Sequence, residues 1–383
     1  MENYKWNNGV KKADFMTNKV RNYVKNVFLD ELKKKGYDEV DLPTLDYSDA
    51  FVVNNEYYSA QNHYKSVAPN GEILSVGDDV VKGLICFSAK SMVNKGKICA
   101  AYDAYSFLVP DGKNPNDYQI GGIVFGESGI EEEADCIVAA IDFAKKLGIK
   151  KPKTEVGNTE AFLGVLSRFA GKDENLDRLK AIISGKIEND VDYATSQTLN
   201  ELKNVQGNAS IIKDLATKMD NQRSIDGLVD IFETLNVLEA YTVSDGVTVK
   251  IGYLGESKYD NGLVFRVKDE QGKTIVYGGR CDCMKGNDKI RCLYLKVKTE
   301  NAVEKAKTSG VYAETNDKRV TVAVASTRSA IAQAYTVRED LNAEGFVTDV
   351  VYNADERLFE VISSENPNKM VLFVDEEGNI KHS

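Results

Sequence analysis

Apolar residues recur at helical spacing from Thr17 to Lys35, where Val20, Tyr23, Val24, Val27, Phe28 and Leu32 share one face. Thr17 is placed to cap this helix and Gly36 to end it, because glycine takes the left-handed conformation without strain. Tyr37–Leu42 then reads as a strand that stops at Pro43. Between residues 50 and 126, strand-like runs alternate with turn signals at Pro69-Asn70-Gly71 and Pro110-Asp111-Gly112. A longer helical run follows, Ile130–Leu147, with Ile137, Ile141 and Ala144 on one face and Gly148 as its stop. Ser128 and Glu131 are spaced as a capping box, and Glu131, Glu132 and Glu133 suit the positive end of the helix dipole. That run of carboxylates therefore predicts helix-end chemistry and not a metal cluster.

Residues 158–240 carry helical patterns at Glu160–Phe169, Asn175–Ile183, Tyr193–Asn204, Ile211–Met219 and Ile225–Leu238, as an inserted helical subdomain would. Strand character returns over residues 241–299. Within it, Leu263–Lys268 and Lys273–Tyr277 flank Asp269-Glu270-Gln271-Gly272, the signature of a hairpin. A polar stretch, Ser309–Lys318, precedes a final unit in which Val320–Ala325, a helix from Ser329 to Ala343 and Phe346–Tyr352 make a βαβ pattern. The expected domains are thus 1–308, with the insertion at about 158–240, and 319–383 as a small α/β domain.

Composition narrows the function classes. A chain of 383 residues, 42% apolar and 28% charged, has the make-up of a soluble globular protein with two or three domains. No apolar run approaches the roughly 20 residues of a membrane span. The opening MENYKWNNGVKK lacks the apolar core of a secretory signal, so a cytoplasmic location is expected. Six cysteines show no zinc-type pairing: Cys281 and Cys283 are too close, and only His63 and His382 offer imidazole. No metal or cofactor is expected, and Ser-His or Cys-His catalysis has little material. A net charge of −10 disfavours nucleic acid as the main ligand.

The chemistry concentrates in Tyr259–Asp282. A Tyr-x-x-Gly run opens this segment and Gly278-Gly279-Arg280 closes it. Paired glycines allow a ligand close to the backbone, and a guanidinium can grip a carboxylate or phosphate. An ordinary hairpin with a glycine-rich exit fits the same residues equally well.

This pairing resembles the histidine-binding core of the class II histidyl-tRNA synthetase family, which includes the non-catalytic regulatory subunits of ATP phosphoribosyltransferase. Further segments fall in the order that family requires. The helix–strand unit up to Phe51 resembles the first class II motif, which builds the dimer interface. Asn70-Gly71-Glu72 and Val76-Gly77-Asp78-Asp79 resemble a hairpin leading into a Leu-Arg-Pro-acid motif, with Asp79 as the acid, Gly77 in place of arginine and Asp78 in place of proline. Ala101–Leu108 resembles the second motif, with Leu108 where an ATP-gripping arginine follows the phenylalanine. Tyr118–Gly126 resembles a Gln-(aliphatic)-Gly-x-Glu strand that keeps Gln119 and replaces the glutamate by Ile123. The likeness covers about residues 8–300, with a weaker one of 319–380 to the C-terminal anticodon-binding-like domain.

The resemblance implies an α+β fold: a class II aminoacyl-tRNA synthetase-like core, mostly antiparallel sheet flanked by helices, with a helical insertion and a small C-terminal α/β domain. The departures imply loss of adenylation. Leu108 lacks the second-motif guanidinium, Leu254–Lys258 lacks the arginine before Tyr-x-x-Gly, and Arg291–Val297 lacks the third-motif arrangement. Each lost phosphate donor removes about two to three powers of ten in rate. What remains resembles a regulatory subunit: no chemistry of its own, a homodimer within a hetero-oligomer, a short-form ATP phosphoribosyltransferase catalytic subunit as partner and histidine as a feedback effector. A pocket of Asp79, Gln119, Tyr259, Gly279 and Arg280 would line the ligand site, with Asp79 drawing an ammonium group. Ile123 in place of a glutamate weighs against histidine itself. Two other readings stay open: a different inactive paralogue acting as sensor or scaffold, and an active aminoacyl-tRNA synthetase, which ATP–pyrophosphate exchange would reveal.

Overall fold

A computed structural model describes residues 15–41, 45–47, 65–76, 79–81, 83–85, 96–107, 116–126, 128–170, 182, 193–219, 221–257, 259–285, 288–312, 319–365 and 370–383. Two compact units meet in the sequence between Ser309 and Gly310.

The first unit is built on a nine-stranded, largely antiparallel sheet. Helix α1 (Phe15–Lys34) leads into the short strand β1 (Asp38–Glu39). β2 (Leu45–Tyr47), β3 (Lys65–Val67) and β4 (Ile73–Val76) form a separate small sheet. The long strands β5 (Ile98–Phe107) and β6 (Asn116–Phe125) pair along their whole length. Helix α2 (Ile130–Lys146) precedes β7 (Lys153–Asn158). The expected helical insertion contains α3 (Thr159–Ala170), α4 (Tyr193–Lys203), the two-residue strand β8 (Gln206–Gly207), α5 (Ser210–Lys218) and α6 (Gln222–Ala240). The chain then returns to the sheet as β9 (Val247–Lys250), the hairpin β10 (Leu263–Lys268) and β11 (Thr274–Arg280), the small hairpin β12 (Cys283–Lys285) and β13 (Asp288–Ile290), and β14 (Cys292–Val297). Helix α7 (Thr299–Ser309) ends the unit.

The strand order β1-β5-β6-β14-β11-β10-β7-β9-β8 puts β14 and β11 at the centre. Helices α1 and α2 cover one face. Val20, Val24, Phe28 and Leu32 of α1 are buried as their spacing predicts, and Phe28 meets Phe143 of α2 edge-on at 4.9 Å. Gly121 and Gly122 sit back to back in β6. A Cβ on Gly122 would lie 2.7 Å from Leu32 of α1, and one on Gly121 would overlap the Tyr102 hydroxyl on the other face. Glycine here lets a bulky neighbour sink into each side of the sheet.

Several local expectations need correction. Thr17 does not cap α1 but lies inside its first turn, where its hydroxyl meets the Lys307 ammonium of α7 at 2.7 Å. Gly36 does end the helix region, with a φ of +82°. The β1 ladder holds only Asp38 and Glu39, because it is an edge strand paired on one side; Leu42 lies outside the described residues. The capping pair of α2 is shifted by one residue. Gly129 is the N-cap, and Glu132 reaches back to accept its N–H at 2.7 Å, so Ser128 and Glu131 are not the box. Of the expected helix Asn175–Ile183, only Ile182 is described, and it is helical. Gly77, Asp78, Leu108 and the Pro110–Gly112 turn lie outside the described residues.

In the second unit, β15 (Arg319–Val324), helix α8 (Arg328–Ala343) and β16 (Val347–Tyr352) form the βαβ pattern read from the sequence. Helix α9 (Glu356–Glu365), β17 (Val371–Val374) and β18 (Ile380–His382) complete a four-stranded sheet of order β16-β15-β17-β18. Thr327 caps α8 by accepting from the Ala330 N–H at 3.1 Å.

Candidate functional site

Directly paired residues on neighbouring strands point to the same face of a sheet. The register therefore defines a row across the large sheet: Thr248, Glu155, Arg266, Tyr277, Lys296, Gly121 and Tyr102. Gly279, two residues from Tyr277, and Gln119, two from Gly121, share this face. It is the face opposite α1 and α2, and it carries the tyrosines Tyr102, Tyr277 and Tyr294.

Asp79 and Tyr259 join the row from loops. The Tyr259 hydroxyl donates to Asp79 Oδ1 at 3.3 Å, and Lys296 Nζ donates to Asp79 Oδ2 at 2.7 Å. The Lys296 side chain is only 5% exposed and that of Asp79 24%, so the carboxylate expected to draw a ligand's ammonium already holds a protein one. Gln119 is buried. It accepts from the Val80 N–H at 3.1 Å and donates to the Ser106 hydroxyl at 2.7 Å, which fixes its amide. Tyr259 packs edge-on to Tyr294 at 5.2 Å. The adjoining loop is tied down by Asp260, which accepts from the Tyr294 hydroxyl at 2.7 Å and from the Ser257 N–H at 2.8 Å. Burial pushes the Tyr259 and Tyr294 phenols up, Asp79 adding to the shift of Tyr259 and Asp260 to that of Tyr294, so both stay protonated donors.

Four of the five expected pocket residues thus share one face, and the fifth does not. Arg280 is three positions from Tyr277 and emerges on the helix-covered face. Its Nε donates to Glu133 Oε1 of α2 at 2.6 Å and its Nη1 lies 3.3 Å from Asp282. Glu133 is 3% exposed and also accepts from the Thr234 hydroxyl at 3.2 Å. Arg280 is therefore a buried anchor between the hairpin and α2, not a ligand grip. The run Glu131–Glu133 splits accordingly: Glu132 serves the helix end, and Glu133 is a core ion-pair partner. The glycine pair also has an internal reason. A Cβ on Gly278 would overlap the Tyr294 carbonyl oxygen, and one on Gly279 would stand 2.6 Å from the Leu263 carbonyl oxygen. The backbone that approaches these glycines is that of the adjoining strands.

Sequence reasoning missed Lys296, Glu155 and Arg266. Period-2 counting from Tyr294 places Lys296 on the tyrosine face, so its signal was available. Among the described residues, no group of three or more His, Cys, Asp or Glu is arranged to hold a metal ion, and no helix is long and apolar enough to cross a membrane.

Comparison with known proteins gives this geometry a family setting. The family model for histidyl-tRNA synthetase matches residues 10–288. A Clostridium acetobutylicum protein named ATP phosphoribosyltransferase regulatory subunit is 24% identical over 344 residues, covering 85% of this chain and 84% of its own. A Clostridium kluyveri protein of the same name is 23% identical, covering 91% and 93%. Among solved structures, a Bacillus halodurans chain described as an ATP phosphoribosyltransferase regulatory subunit/histidyl-tRNA synthetase aligns with a TM-score of 0.75 at 18% identity over 95% and 96% of the two chains. A Nostoc histidyl-tRNA synthetase aligns with a TM-score of 0.80 at 11% identity over 100% and 97%. The large antiparallel sheet with its flanking helices is the class II synthetase-like α+β fold.

Proposed function

Because the chain belongs to the histidyl-tRNA synthetase family, we propose that it serves as a non-catalytic regulatory subunit of ATP phosphoribosyltransferase. The observation that carries this reading is the match to relatives of that name over 84% and 93% of their own lengths. The geometry agrees with it. On the synthetase-like face Asp79 is held by Lys296, and Arg280 is turned away to Glu133. The Arg280 guanidinium is therefore not presented to the phosphates of a nucleotide, where adenylation needs positive donors.

In this reading the chain dimerises through the Val20–Leu42 region and joins a short-form catalytic subunit in the cytoplasm. Residues 1–308 act as the synthetase-like domain and 319–383 as the anticodon-binding-like domain. The catalytic subunit supplies the ATP and phosphoribosyl-pyrophosphate sites, so this chain needs no metal or cofactor. It activates that subunit by binding its active state more tightly than its inactive one, and histidine reverses the bias. Asp79, Gln119, Tyr259 and Gly279 border the effector site.

The test mixes the chain with the short catalytic subunit of the same source and measures phosphoribosyl-ATP formation with and without histidine. A rate unchanged by the chain, with no complex formed, replaces this reading by that of an orphan paralogue. If Asp79→Ala and Gln119→Ala leave histidine affinity unchanged, the effector binds elsewhere.

A further inference from the structure

At the expected ligand position of the tyrosine face, an acid and a base of the chain already meet. Lys296 Nζ lies 2.7 Å from Asp79 Oδ2, and the Tyr259 hydroxyl donates to Asp79 Oδ1 at 3.3 Å. Lys296 belongs to β14 near the centre of the sheet, directly across from Tyr277 of β11 and Gly121 of β6. Its side chain is 5% exposed and that of Asp79 24%, so solvent reaches the pair from the Asp79 side.

A ligand ammonium that takes Asp79 has to part it from Lys296. Among the described residues Lys296 has no second carboxylate partner, so that step leaves a buried ammonium without its counter-ion. Breaking a buried pair from one side is strongly unfavourable. A ligand with a carboxylate of its own removes the penalty, because it offers Lys296 a new partner as the old one is lost. Arg280 cannot serve here: it emerges on the opposite face, with its Nε 2.6 Å from Glu133.

We propose that Lys296 is the carboxylate receptor of the effector site, and that the Asp79–Lys296 pair opens to admit both charges of a zwitterionic α-amino acid. This rests on the proposed reading of the cleft as the effector site. The ligand's ammonium donates to Asp79 and its carboxylate accepts from Lys296, so one internal ion pair is exchanged for two between protein and ligand. The flexible four-carbon stem of lysine lets the ammonium move off Asp79. Ligands with only one of the two charges bind poorly. An amine alone strands Lys296, and an acid alone competes with Asp79 for the same ammonium.

The experiment is isothermal titration of the full chain with three probes: histidine, histamine, which lacks the carboxylate, and imidazolepropionate, which lacks the ammonium. The wild type should bind histidine more tightly than either. Lys296→Gln should weaken histidine by about ten- to hundredfold, the loss of one charge-assisted hydrogen bond, and leave histamine unchanged or tighter. Lys298→Gln removes an ammonium from the same face, but from the pair with Glu256, and should leave all three affinities unchanged. Far-UV circular dichroism checks that each variant is folded. Tighter histidine binding by Lys296→Gln would mark the lysine as a competitor only and overturn the proposal. Parallel weakening of histidine and histamine, which a structural role would give, overturns it too. So do equal weakening by Lys298→Gln and a wild type that binds histidine no better than histamine or not at all. Each of these results leaves activation of the catalytic subunit, and with it the proposed function, to be judged by phosphoribosyl-ATP formation.

Discussion

Replacing Arg280 by Met separates the two roles that the side chain has been given. In the folded protein, Arg280 Nη2 lies 2.5 Å from Glu133, whose side chain is 3% exposed. Arg280→Met keeps much of the apolar stem but leaves Glu133, among the described residues, with only the Thr234 hydroxyl as a side-chain partner at 3.2 Å. Removing one member of a buried pair costs about 3–5 kcal/mol. The penalty has a sign in pH. Burial, opposed by Arg280, already raises the Glu133 carboxyl above its unfolded value of 4.5. An acid whose folded value is raised stabilises the fold most when protonated. That contribution is complete below the unfolded value and is lost as pH rises through the folded one. Without Arg280 the folded value rises further and the window widens. Urea unfolding followed by far-UV circular dichroism should therefore show a larger loss at pH 7 than at pH 5, changing by up to about 1.4 kcal/mol per pH unit. Adding Glu133→Gln should recover part of the loss. A variant as stable as wild type at pH 7, or a loss independent of pH, would refute the buried-anchor role.

Three other outcomes follow from single positions. Gly36 has φ +82° and open space where a methyl would stand, so Gly36→Ala should cost about 1–2 kcal/mol of backbone strain alone, read by thermal unfolding. Gly278→Ala drives a methyl into the Tyr294 carbonyl oxygen and should cost about 1–3 kcal/mol or more, visible in melting temperature and soluble yield. Burial pushes the Cys136 thiol up to about 12 and raises Cys281, while a hydrogen bond with Cys281, with burial behind it, raises Cys292. These three should resist Ellman's reagent at pH 8 in the native protein and react once urea unfolds it; rapid native labelling of Cys136 would contradict its burial.

Much of the fold was legible because its signals are local. The apolar stripe Val20–Leu32, the turn Asp269–Gly272 and the βαβ order of the last unit each specify an element without reference to the rest of the chain. Boundaries were less legible where a tertiary contact decides them. Thr17 has the side chain of a cap, but the helix begins at Phe15, and Thr17 instead ties α1 to Lys307. Ser128 and Glu131 have capping-box spacing, yet Gly129 and Glu132 have it too once glycine serves as the cap. Spacing alone does not choose between the two.

The site was harder to read because motif resemblance conveys order along the chain, whereas a pocket is a matter of faces. Gly279 and Arg280 are neighbours in a strand, so the pleat must send them to opposite sides. Counting by two from Tyr277 assigns Gly279 to the tyrosine face and Arg280 to the helix-covered one, from sequence alone. The partners on each side were not available in that way. Glu133 comes from a helix 147 residues away and Lys296 reaches Asp79 across 217. Asp79 looks like a ligand-directed charge and Glu133 like helix-end chemistry until the fold places a protein cation beside each. The same register assembles Glu155, Arg266 and Tyr277 into one row, bringing Glu155 from outside the Tyr259–Asp282 segment to two residues within it. The meeting of Glu155 with Arg266 is therefore a property of strand register, which spacing along the chain does not state.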